Sequence, residues 1–154
     1  MRLTLLKSGN EPNPEADREE HRFLYSLYPH AGDWKSGKTV QMAYSFNVPL
    51  YTMVASPHSG KLPAKKSLFQ LDQENVILET VKKAEDDEGI ILRLYETENR
   101  RSTVRLTTDR KLQKVTECTL MEAESTVLPF SDSSFSFEIK PYEIKTFKLT
   151  FAQQ

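Results

Sequence analysis

From residue 67 onward, apolar and polar residues alternate with the period of two that marks a β-strand. The runs 67–71, 76–82, 90–96, 103–107, 111–120, 135–139 and 142–151 each follow this pattern, and turns rich in charge, Gly or Asn separate most of them. Ile90, Leu92 and Leu94 fall on one phase and Ile91, Arg93 and Tyr95 on the other, so one face is core and the other partly wet. In the closing run Tyr142 and Ile144 keep one phase and Phe147, Leu149 and Phe151 the other, which predicts a bulge near Lys145.

The first half is less regular. Residues 2–6 and 23–28 alternate as strands, with Phe23, Tyr25 and Leu27 on one face and Leu24 and Tyr28 on the other. Between them, residues 8–14 form a Gly/Asn/Pro loop in which Pro12 and Pro14 block helix. Over residues 33–50, Trp34, Val40, Ala43, Tyr44 and Asn47 sit near helical spacing, and Asp33 is placed to cap a short helix. Pro49, Pro57, Gly60 and Pro63 break the connection that follows, with residues 50–54 as a short strand inside it. About nine short strands and at most one short helix predict an all-β fold, an antiparallel β-sandwich over residues 1–154 as a single domain.

Length changes this picture little: 154 residues suffice for one core. Charge excludes more. Lysine and arginine number 21 against 22 acidic residues, so the balance carries no footprint for nucleic acid or an anionic membrane surface. No apolar run approaches the roughly 20 residues of a membrane-spanning helix, and no secretory signal or glycosylation sequon occurs. The single cysteine, Cys118, has no internal partner for a disulfide, and a reducing cytoplasm is the expected setting. Because the chain begins and ends inside alternating runs, it reads as a piece of a longer polypeptide.

Candidate chemistry concentrates in residues 16–30, ADREEHRFLYSLYPH, where a charged tip runs into a strand. His21 and His30 invite a metal, but they lie nine residues apart with no adjacent partner set, and both are read as structural. Residues 85–88 are acidic without the spacing of a calcium loop and read as a solvated hairpin tip. Lys61, Lys65 and Lys66 read as the polar residues of a Pro-rich connection rather than a phosphate patch. Tyr25, Tyr28, Trp34 and Tyr44 could form a sugar-stacking platform, and their spacing fits core packing better. Cys118 reads as an inert thiol.

Three segments together carry a resemblance: LTLLKSGNEPNPEADREEHRFLYSLYPHAGDW, VILETVKKAEDDEGIILRLYETENRRSTVRL and PYEIKTFKL. In this order they resemble the C-terminal β-sandwich of glycoside hydrolase family 38 α-mannosidases of bacterial type. The resemblance implies a supersandwich, galactose-mutarotase-like fold in a retaining enzyme that hydrolyses terminal α-mannosides in mannose metabolism. Such an enzyme uses two carboxylates roughly 5 Å apart. It further implies zinc or another divalent metal in the parent, a catalytic barrel N-terminal to this sandwich, and no catalytic or metal residue in this chain. A homo-oligomeric parent is left open. By the same resemblance Asp17 and Arg18 lie near the substrate, at the lip of the sugar pocket. The alternatives that stay open are a solvated local ion pair for Arg18 and, for the whole chain, an independent carbohydrate-binding or protein-interaction module.

Overall fold

Alternation becomes strand where the apolar phase of one run can bury against that of another. The computed structural model describes residues 2–85 and 89–152 and divides into two units, Met1–Asn47 and Val48–Gln154, each taken by itself. The second unit holds every strand among the described residues: β1 (Phe69–Leu71), β2 (Val76–Lys83), β3 (Ile90–Glu96), β4 (Ser102–Thr108), β5 (Leu112–Cys118), β6 (Glu124–Val127), β7 (Phe130–Ser131), β8 (Ser134–Ile139) and β9 (Ile144–Phe151). They pair antiparallel in two sheets, ordered β1-β4-β8-β7 and β2-β3-β9-β5-β6. The expected all-β sandwich is observed.

The core lies between these sheets. Leu92, Leu94, Val115, Phe147 and Leu149 come from one, and Val104, Leu106, Phe135, Phe137 and Ile139 from the other. Phe147 meets Phe137 at 4.6 Å and Phe135 edge-on at 5.1 Å between ring centres, which joins the two sheets through aromatic packing. The opposite face of the five-stranded sheet is wetter, yet Ile91 is fully buried there. Part of its cover is polar: the Arg93 guanidinium donates to the Leu120 carbonyl at 3.0 Å, and Glu122, in a left-handed turn, pairs with Lys82 at 2.7 Å.

The two strands that alternation did not predict, β6 and β7, have every residue exposed. With no side to bury, they carry no apolar period. The expected bulge near Lys145 is absent, because β9 pairs with β3 in unbroken register from Ile144 to Leu149. Tyr142 owes its different phase to a turn, where its φ is +55°. The register shifts fall instead at Leu78/Thr80, Leu112/Lys114 and Glu117/Cys118. The hairpin tip expected at residues 86–88 lies outside the described residues; Ala84 N–H donates to the Gly89 carbonyl across it.

In the first unit the strands expected at residues 2–6 and 23–28 do not form, nor does the one at 50–54 in the second. A strand needs a ladder partner and cover for its apolar side chains. Neither is supplied here, and Leu24, Tyr51 and Val54 are 86%, 95% and 100% exposed. The helix does form, as α1 (Thr39–Asn47), shorter than expected at both ends. Asp33 caps the preceding turn through Ser36 N–H rather than the helix, Lys38 at φ +51° separates the two, and Pro49 disfavours helix at Val48.

Candidate functional site

The charged tip is built by a loop closing on itself. Asn13 Oδ1 accepts from Glu15 N–H, and the Asn13 carbonyl accepts from Ala16 N–H, forming a tight turn. The chain then enters the left-handed region at Asp17, φ +56°, a conformation that Asp tolerates. The Asp17 carboxylate accepts from Ser8 Oγ at 2.7 Å, and its carbonyl lies 2.9 Å from His21 Nε2. Arg18 pairs with Glu15 at 2.8 Å, with both side chains largely exposed. The local ion pair that the sequence left open therefore exists. An exposed pair of this kind contributes little to stability and leaves the remaining guanidinium donors available to an acceptor.

His21 and His30 have separate local roles. His21 stacks on Phe23, and His30 packs beside Tyr28 at 5.4 Å between ring centres. His30 also fixes its neighbour's identity: a Cβ on Gly37 would stand 2.4 Å from His30 Nδ1. Tyr28 Oη closes the same turn by donating to the Gly37 carbonyl at 2.9 Å. Among the described residues no three His, Cys, Asp or Glu side chains gather as a metal-ligand set.

The aromatic residues do not pack as the sequence suggested. Tyr44 is half-buried, whereas Tyr25, Tyr28 and Trp34 are exposed at 40% or more, because the strand meant to bury them has no partner. A shallow groove of about 490 Å³ runs beside α1, lined by Ser26, Tyr28, Thr39, Met42, Ala43 and Phe46 among others. Its apolar lining carries no charged side chain to orient a sugar. Of the three lysines, Lys66 pairs with Asp109 at 2.7 Å.

One polar cluster was not anticipated. Glu96 ends β3 and is 1% exposed, the single acidic residue in the buried class among the described residues. Its carboxylate accepts four hydrogen bonds. Asn75 Nδ2 and Glu98 N–H reach Oε1 at 2.8 and 2.7 Å, and Asn99 and Tyr142 N–H reach Oε2 at 2.9 Å each. Arg100 donates to Asn75 Oδ1 at 2.9 Å. Burial opposes the charge on Glu96, but these donors outweigh it and hold the carboxyl below its usual range. A carboxylate so fully satisfied is committed to tying three turns together and is not free to serve as acid, base or nucleophile. Its signal was hidden because Asn75 and Tyr142 are 21 and 46 positions from Glu96. Burial pushes the Cys118 thiol up, in keeping with an inert group.

Residues 75–147, from the Asn75 of this cluster to the central Phe147, match the family described as "Glycosyl hydrolases family 38 C-terminal beta sandwich domain". The chain is 31% identical to Alpha-mannosidase G of Dictyostelium discoideum over 95% of its length and 14% of that protein's. It is 30% identical to Alpha-mannosidase 2C1 of Mus musculus, over 97% of the chain and 15% of the relative. A Putative mannosylglycerate hydrolase of Halalkalibacterium halodurans is 28% identical over 95% of the chain and 17% of its own length. The chain thus spans about one-seventh of the length of the curated relatives it matches.

Proposed function

Residues 75–147 belong to the C-terminal β-sandwich domain of glycoside hydrolase family 38, and on that premise we propose that the chain is this domain of a retaining α-mannosidase. In this reading residues 1–154 support the catalytic part of a longer enzyme and complete its sugar pocket, while the reacting carboxylates and the zinc lie in the rest of that enzyme. The observation that carries the reading is similarity over nearly the whole chain to proteins named as α-mannosidases, confined to a small share of their length. The buried Glu96 carboxylate, occupied by four donors, has a structural role in this reading. The chain's single, buried, unpaired cysteine supports a reducing compartment such as the cytoplasm.

Within this reading Arg18 is a positioning residue at the pocket lip. Its guanidinium is held on a turn braced by the Ser8–Asp17 and His21–Asp17 contacts, and its fork suits a sugar hydroxyl or a carboxylate of the site. Arg18→Ala in the full-length enzyme, assayed on an aryl α-mannoside, is expected to lower kcat/KM by about tenfold, the effect of losing one charge-assisted hydrogen bond. Arg18→Lys should restore only part of it, since an ammonium cannot fork. Unchanged kcat/KM in Arg18→Ala would remove the role.

A further inference from the structure

Residues 23–28 read FLYSLY, apolar on both phases, and this separates them from the strands of the sandwich. A strand on the surface of a sheet needs one apolar face; a strand buried on both faces reads as a nearly continuous apolar run. Within the first unit the segment has no ladder partner and little cover. Leu24 and Leu27 are 86% and 73% exposed, and the local contacts include the ring of Phe23 on His21, the ring of Tyr28 beside His30 and the hydroxyl of Tyr28 on Gly37. Residues 2–6 likewise leave Leu3, Leu5 and Leu6 exposed and without a ladder.

We infer that residues 23–28 and 2–6 are strands completed by the remainder of the parent α-mannosidase, with 23–28 entering the interior of a sheet that this remainder supplies. The inference rests on the reading given above and names the partner surface for it. A peptide or a sugar cannot be the occupant, because a segment apolar on both phases requires a sheet edge beside it and a packed layer on each side. That is the architecture of a folded domain. Relatives similar over 94–98% of this chain devote 14–17% of their length to it, so the large remainder is the domain available. A second copy of this chain is the competing occupant. Two copies pairing these segments with each other would make a two-stranded ribbon in which each strand is still an edge, not the interior position that a run apolar on both faces fits.

Amide hydrogen exchange on this chain and on the full-length enzyme that carries it tests the assignment. Residues 2–6 and 23–28 are expected to exchange rapidly in the isolated chain and at least about 100-fold more slowly in the full-length enzyme, while β3 and β9 are protected in both. Ser26→Pro in the full-length enzyme should abolish that protection at 23–28, since proline cannot occupy a central strand, and leave the exchange of β9 unchanged. Rapid exchange at 23–28 in both forms would overturn the inference and leave the α-mannosidase reading intact. Protection in the isolated chain that grows with its concentration would overturn it in favour of self-association. If the full-length polypeptide shows no hydrolysis of an aryl α-mannoside, the reading beneath the inference fails with it.

Discussion

Glu96→Ala is expected to cost the sandwich on the order of 3–4 kcal/mol, counting about 1 kcal/mol, the low end of the range, for each donor left without an acceptor, since three of the four are only part-buried. Four donors converge on that carboxylate, from Asn75 and from the backbones of Glu98, Asn99 and Tyr142. Against a typical domain stability of about 5–15 kcal/mol, the loss brings the protein close to unfolding. Glu96→Gln should fall between, because its amide nitrogen faces N–H groups it cannot accept from. The charge adds a pH signature. The folded-state pKa is held below the ordinary value of 4.5, so the stabilisation is complete above that value and is lost as pH falls through the folded-state pKa. Urea titrations across this acid range should show stability falling in the wild type and a flatter profile in Glu96→Gln. Matching acid profiles would show that the carboxylate is not held ionised.

Phe147→Ala is expected to destabilise by about 3–5 kcal/mol, the range for emptying a fully buried aromatic site. Phe147 is 0% exposed and sits between Phe135 and Phe137 of the facing sheet, so its removal opens a cavity where the two sheets meet. Thermal unfolding would register this as a large drop in Tm, whereas Phe147→Leu should retain part of the stability. A loss below about 1 kcal/mol would mean that the sheets are not joined through this ring.

Strands whose alternation separates a buried from a wet face were legible in the sequence. In β4, for example, Ser102, Val104, Leu106 and Thr108 are buried while Thr103 and Arg105 are exposed. β6 and β7 were not legible, since edge strands with no buried side have no period to read. The misread bulge has a related cause: Tyr142 was counted as strand, although a left-handed turn held by Glu96 places it there. Within that cluster one bond, from Tyr142 to Glu96, spans 46 positions, and no local pattern announces it. Residues 2–6 and 23–28 show the opposite failure. Their period signals strands, but a strand is a pairing, and the first unit taken by itself does not provide the partner.

The charged tip was legible as a loop. The turn at Asn13, the left-handed Asp17 and the Arg18–Glu15 pair follow from residue types that favour such conformations and pairs. In the proposed reading the groups that orient a sugar belong to the rest of the parent enzyme. The same dependence makes the chain's behaviour in isolation informative.

Calorimetric titration of the isolated chain with mannose and α-mannobiose, accompanied by an aryl α-mannoside assay, bears most directly on whether this domain supports a catalytic site held elsewhere. Neither saturable heat nor hydrolysis is expected from the chain alone. Saturable binding of either sugar would contradict that account and identify an independent carbohydrate-binding module.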